Sequence, residues 1–232
     1  MESETRRTFL FNAATTVAAG LATGCRRRGP KAGDWVGGKE EEEVAPGEDL
    51  MREHGVLNRL LLVYEEVGRR IQGRRSYPAD VVTRSGDIVR RFIEGYHEKL
   101  EEDQLFPRFE KAGRLVDLVG VLRTQHQRGR SLTAEILQWG GAPLTRSTRE
   151  RLIDAFRLFI RMYRPHEARE DTVLFPAFHQ LVSQKEYESL GDVFEDMEHE
   201  LFGARGFDGI VEEVAQIEQA LGIYELSQFT PL

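Results

Sequence analysis

The stretch that decides the fold is His97-Glu98-Lys99-Leu100-Glu101-Glu102-Asp103-Gln104-Leu105-Phe106-Pro107-Arg108-Phe109, because the chain carries it twice. The run His166-Glu167-Ala168-Arg169-Glu170-Asp171-Thr172-Val173-Leu174-Phe175-Pro176-Ala177-Phe178 agrees with it at the histidine, two glutamates, the leucine, the Phe-Pro pair and the last phenylalanine. The offset is constant at 69 positions, from His97 to His166, and a further histidine precedes each copy, His54 and His126, 72 positions apart. The chain therefore reads as two copies of one helix pair, each supplying a histidine and then a histidine with a glutamate four positions on. A step of four on a helix puts two side chains on one face with Cβ atoms about 5–6 Å apart, so an imidazole and a carboxylate can reach the same metal ion or pair of ions. One such pair also occurs as an exposed hydrogen-bonded couple. Two inside one longer repeat are far more specific.

Outward from the repeat, apolar residues recur at three- and four-residue spacing from about Glu48, the pattern of helices that bury one stripe. The stripes are Leu57, Leu61 and Tyr64; Val89, Ile93 and Leu100; Leu118, Leu122 and Ile136; and Ile153, Phe156, Ile160 and Tyr163. Gly73 to Pro78, Gly113 and Gly140 to Pro143 separate them as turns. Ser147 with Glu150 reads as a capping box opening the fourth helix, and Ser183 with Glu186 as one opening a fifth. Nothing reads as a strand. Short connections between long helices predict an all-α, antiparallel up-down-up-down four-helix bundle with a helical C-terminal extension.

Helices rise evenly per residue, so residues at one level of such a bundle lie equally far from the turn between them. The midpoint of His54 and His97 falls at the Gly73–Pro78 turn, that of His97 and His126 beside Gly113, and that of His126 and His166 at position 146, just past the third turn. All four histidines are predicted to meet in one layer, flanked by the same apolar stripes. Four imidazoles and two carboxylates turned into a core are costly without partners. His54, His97, Glu101, His126, His166 and Glu170 therefore form the predicted metal site.

The chain has 232 residues, 40% of them hydrophobic, which suits one good-sized core. Its formal charge of −7 argues against non-specific nucleic-acid binding. Arg6-Arg7 before a small-residue apolar run resembles a twin-arginine export signal, implying passage of a folded protein through the twin-arginine machinery to the periplasm. Cys25, the only cysteine, ends that run as in a lipoprotein cleavage site, although Ala22 stands where a lipobox usually has leucine; lipidation there would tether the protein to a membrane. A single cysteine forms no internal disulfide. The expected organisation is an export signal over 1–25, a Gly-rich acidic linker over 26–47, the bundle over 48–183 and the extension over 184–232.

His54, His97-x3-Glu101-Glu102-x2-Leu105-Phe106-Pro107, His126 and His166-x3-Glu170-x3-Leu174-Phe175-Pro176 together resemble the hemerythrin-like HHE cation-binding proteins, from about Asp49 to Val182. The resemblance implies a centre of two iron ions with an oxo or hydroxo bridge. Glu101 and Glu170 would bridge the irons, the four histidines would be terminal ligands, and a position would stay open for oxygen, nitric oxide or peroxide. Oxygen-carrying hemerythrins have a further histidine four residues after the third-helix one, where this chain has Arg130. The symmetric set is closer to proteins that repair iron–sulfur centres, which typically add a cysteine-bearing N-terminal domain. A ferritin-like reading fails because Glu-x-x-His occurs once, at Glu94 and His97.

His179 and His199 read as surface residues, and Tyr96 and Tyr163 as core aromatics beside the ligands. Three function classes follow: capture or sensing of a small oxidant, redox catalysis at the same centre as a peroxidase, nitric-oxide reductase or repair enzyme, and a metal-free partner-binding bundle. No further acid–base group is evident beside the ligands, which favours binding over catalysis.

Overall fold

The computed structural model describes residues 44–231. The expectations for Arg6, Arg7, Cys25 and most of the acidic linker lie outside the described residues. Four long helices account for the core: α1 (Pro46–Gln72), α2 (81–112), α3 (Val116–Gly140) and α4 (146–179). Two more follow, α5 (Gln184–Phe202) and α6 (Gly206–Leu221), and no strand occurs among the described residues. None of the described helices is long and apolar enough to cross a membrane.

The helix ends follow ordinary capping chemistry. Pro46 opens α1 where an amide hydrogen has no helical partner, and Glu48 and Asp49 meet the positive end of the helix dipole. Ser183 caps α5 as expected, its hydroxyl accepting from the Glu186 amide at 3.2 Å. The expected Ser147 box is not used: Thr145 caps α4 and accepts from the Thr148 amide at 3.2 Å. The Thr148 hydroxyl reaches back to the Pro143 carbonyl at 2.7 Å, which ties the cap to the turn two residues earlier than the Ser147 pattern suggests. Gly113, with φ of 63°, ends α2, and Leu115 takes a left-handed φ of 51° to turn the chain into α3.

The four helices form a closed ring in which α1 touches α2 and α4, and α3 touches α2 and α4. Most of the predicted stripe residues are buried; Leu118, Ile153 and Ile160 lie only partly buried at the core's margin. Two close approaches depend on absent side chains. A Cβ on Gly86 would lie 2.8 Å from Leu137, and one on Gly129 would lie 1.9 Å from the Tyr163 hydroxyl. The extension lies against α1 and α2. Tyr187, Leu190 and Phe194 of α5, with Ile210, Val214, Ile217 and Leu221 of α6, complete the core. Arg59 of α1 clasps Glu218 of α6 through two hydrogen bonds of 3.0 and 2.6 Å.

Neither α2 nor α4 is a regular helix. Each widens into a π-helical turn directly after its glutamate, over Glu101–Leu105 and Glu170–Leu174, and α2 has a longer widened stretch over Val89–His97. The buried positions explain why: His97, Glu101, Leu105 and Phe109 recur in steps of four, as do His166, Glu170, Leu174 and Phe178. An α-helix overshoots a full turn by about 40° in every four residues, so the row would rotate off the core. A wider turn keeps it aligned. Pro107 and Pro176 assist, since each lacks an amide hydrogen and its ring crowds the carbonyl four residues back.

Packing at Gly129 gives a direct check. Gly129→Ala should destabilise the protein by about 1–3 kcal/mol, because Tyr163 must move. Gly120→Ala, on the same helix with nothing near its Cβ position, should stabilise it by about 0.5–1 kcal/mol. Denaturant titration of both variants measures the contrast, and equal shifts would contradict the packing.

Candidate metal centre

The six predicted residues meet at the middle of the ring and all are buried. They form two sets of donors whose ligating atoms lie within 4.8 Å of one another: His54, His97, Glu101 and Glu170, and Glu101, His126, His166 and Glu170. Both glutamates belong to both sets. Each helix pair supplies the two histidines of one set, so the pairing of histidines is itself a product of the repeat. Imidazole rings in each set stand 4.7 Å apart for His54 and His97 and 5.0 Å for His126 and His166. Glu170 Oε2 lies 3.4 Å from His54 Nε2 and 3.1 Å from His166 Nε2, and Glu101 Oε2 lies 3.3 Å from His126 Nε2 and 3.8 Å from His97 Nε2.

The polar atoms at this centre are orphaned. Both oxygens of Glu101, both of Glu170, and the Nε2 atoms of His54 and His126 are buried without a hydrogen-bond partner. Such groups cost several kcal/mol in aggregate unless something fills the gap. Two cations between bridging carboxylates and paired imidazoles fit the donor set: nitrogen and oxygen donors of this kind suit iron and neighbouring divalent metals.

The opposite nitrogen of every histidine is held from outside. His54 Nδ1 pairs with Asp171 at 2.7 Å, His97 Nδ1 with Glu53 at 2.6 Å, His126 Nδ1 with Glu102 at 3.1 Å and His166 Nδ1 with Gln125 at 2.9 Å. An Nδ1–H donating outward leaves the Nε2 lone pair facing the centre, which fixes both ring orientation and ligand basicity. Phe175 and Phe106 stack on His54 and His126, with ring centroids 5.5 Å apart in each case. These outer residues went unpredicted, yet the repeat contains them. The 69-position offset relates Glu102 to Asp171, Glu98 to Glu167 and Phe106 to Phe175, and the 72-position offset relates Glu53 to Gln125 and Asn58 to Arg130.

The expected absence of acid–base groups is also corrected. Glu98 and Glu167, each one residue after a ligand histidine, are buried, and burial pushes both up to about 8. Glu98 accepts from the Tyr163 hydroxyl at 2.8 Å and lies 2.8 Å from Arg130, while Glu167 accepts from Asn58. Arg130 also donates to Glu102 at 2.8 Å. Tyr163 is therefore both a core aromatic and a hydrogen-bond donor. Tyr96 donates to the Phe194 carbonyl, and His179 and His199 are exposed. The surface cleft lined by Ile71, Arg74, Arg146 and Arg149 contains none of the six residues.

The family model of the hemerythrin HHE cation binding domain matches residues 45–143 and again residues 117–221. The second match starts 72 positions after the first, the same spacing that separates His54 from His126. Uncharacterized proteins of Mycobacterium bovis and of two Mycobacterium tuberculosis strains are each 50% identical to the chain over 195 residues, covering 83% of it and 76% of their own length. No solved structure matches the chain.

Protons and cations compete for this core. Burial raises Glu53 to about 8, as it does Glu98 and Glu167. Burial opposes charge on His126 and His54, but hydrogen bonds to Glu101 and Glu102, and to Asp171 and Glu170, outweigh it; His126 rises to about 10 and His54 also rises. Burial lowers His97 to about 4. A group raised in the folded state stabilises it fully below its unfolded value and loses that contribution as pH rises through the folded value. From pH 7 to 9 the five raised groups all lose stability, while His97 is already neutral in both states. The metal-free protein should therefore melt at lower temperature at pH 9 than at pH 7. The gap between metal-loaded and chelator-treated melts should widen over the same range, because bound cations take the place of the protons on His54 and His126. A flat metal-free profile would show that these groups ionise freely.

Proposed function

The chain belongs to the hemerythrin HHE cation-binding domain family, and from that premise we propose that it is a non-haem two-iron protein that binds or senses oxygen, nitric oxide or a related small oxidant. One observation carries the reading: two donor sets share Glu101 and Glu170, whose four carboxylate oxygens are buried and unpartnered. His54 and His97 would hold one ion, His126 and His166 the other, and the two glutamates would span both, with an oxo or hydroxo bridge between the ions. Iron bound there supplies a redox-active Lewis acid with open coordination positions.

The chain's own residues set the conditions. Asp171, Glu53, Glu102 and Gln125 hold the Nδ1 protons and aim each ring. Phe106 and Phe175 exclude water from one side of His126 and His54. Arg130 is engaged with Glu98 and Glu102, so it adds no donor where oxygen carriers have a further histidine.

Redox catalysis at the same centre is a second reading, favoured by Glu98 and Glu167. Burial favours the protonated form of both, each one residue from a candidate ligand, and the Tyr163 hydroxyl donates to Glu98. A buried acid in that position can deliver a proton to a reduced oxidant.

Metal analysis and optical spectra of purified protein, before and after oxygen, nitric oxide and peroxide, test both. Two irons per chain and a stable adduct support binding, and product release with turnover supports an enzyme. Lack of stoichiometric metal would overturn both. Replacing His97 and Glu101 together by alanine should abolish iron retention and remove on the order of 3 kcal/mol or more of metal-dependent stability.

The periplasm is the proposed location, reached through the twin-arginine route and with Cys25 as a lipid anchor point. Loading iron before export would avoid competition outside. Replacing Arg6 and Arg7 by lysine should leave unprocessed protein in the cytoplasm, and normal export of that variant would refute the route.

A further inference from the structure

The two copies differ in charge type at one outer partner of the histidines, and the difference points to a ligand. His166 is held by a neutral amide, Gln125, whereas its counterpart His97 is held by a carboxylate, Glu53. Glu53 is fully buried on α1; Oε2 takes the His97 Nδ1 contact and Oε1 has no hydrogen-bond partner. The neighbouring Tyr96 hydroxyl spends its one proton on the Phe194 carbonyl at 3.2 Å. An amide would satisfy His97 equally well, as the second copy demonstrates. The extra carboxyl group needs another explanation.

Asp49 lies one turn earlier on α1, and Glu198 approaches from α5, one turn past the buried Phe194. Each brings a carboxylate oxygen within 4.8 Å of the others and of Glu53. Both are only partly buried, so the cluster is open to solvent on one side while Glu53 closes it on the other. One oxygen of each is already engaged: Asp49 Oδ1 with Arg52 at 3.4 Å and Glu198 Oε1 with the Phe207 amide at 2.9 Å. Their second oxygens stay available. Arg52 is drawn aside over the Phe207 ring, 4.5 Å from its centroid, and makes a direct contact with only one of the three carboxylates, Asp49. Position 121, the second-copy counterpart of Asp49, is an exposed valine.

We propose that Asp49, Glu53 and Glu198 bind a third divalent cation, separate from the paired-histidine centre and joined to it through the Glu53 contact with His97. An all-carboxylate donor set with no nitrogen or sulfur selects hard, oxygen-preferring ions such as Mg²⁺, Ca²⁺ or Mn²⁺. The site rests on the structure of the extension as much as on the bundle, because α5 supplies one of its three donors.

Mn²⁺ is the probe. The full chain, loaded with iron and with its optical spectrum recorded, is titrated with Mn²⁺ and free ion is followed by electron paramagnetic resonance. One Mn²⁺ per chain should bind to the wild type. Asp49→Asn and Glu198→Gln should each weaken that binding at least ten-fold, with iron content and melting temperature kept. The second substitution retains an oxygen to accept the Phe207 amide, and the two lie on different helices, so a folding defect in one leaves the other informative. Absence of Mn²⁺ binding, or binding in both variants as strong as in the wild type, overturns the site. Should the chain hold no iron, Mn²⁺ binding that Asp49→Asn abolishes still supports it, which separates this result from the fate of the two-iron reading.

Discussion

Two carboxylates, Glu101 and Glu170, sit at the centre of a four-helix core with all four oxygens unpartnered, and the rest of the molecule is arranged around that constraint. Like charges this deep repel each other and have lost their hydration, so the fold tolerates them only where positive charge is supplied. Four imidazoles converge on them, and an outer ring of carboxylates and one amide keeps those imidazoles pointed inward. Aromatic rings then close over the histidines and lower the local dielectric further. Each layer makes sense only given the one inside it.

The duplication governs the inner layers and relaxes outward. The six candidate metal-site residues repeat without change, and the stacked phenylalanines repeat as well. Among the outer partners Glu102 becomes Asp171 and Glu53 becomes Gln125. One layer further out, Asn58 becomes Arg130 and the two sides carry different charge. The extension completes the divergence by lying against α1 and α2, which burns no symmetry in the centre itself. Divergence is cheap where a side chain meets solvent or another helix and expensive where it meets both donor sets.

Sequence alone was a good guide to the parts that repetition and periodicity report. The paired motifs and the equal distances to each turn located six residues in one layer, and the steps of apolar residues located the helices. Outer partners were harder to see because they join distant segments: Asp171 to His54 across 117 positions, Gln125 to His166 across 41. Each looks like an ordinary polar helix residue until the repeat offsets are applied to it. Thr145 displaced Ser147 as a cap for a similar reason, since the choice turned on the Pro143 carbonyl and not on the four-residue pattern. Glu98 and Glu167 stand in the repeat with no role assigned to them by spacing alone, and it is their burial that changes their chemistry.

The widened turns after Glu101 and Glu170 act as phase correctors. A helix that lost one residue between Glu101 and Phe106 could return to regular α-hydrogen bonding, a gain for that helix considered alone. The same deletion would leave three α steps of about 100° where the wide turn makes one full turn, rotating everything beyond it by about 60°, swinging Leu105, Phe106 and Phe109 toward the edge of the core and shifting the ring that covers His126. Local regularity and global fit are thus opposed at this point of the chain. A proline two residues past the wide turn, once in each copy, tilts that contest toward the irregular form, so the Leu-Phe-Pro signature is the trace of a helix kept out of step with itself.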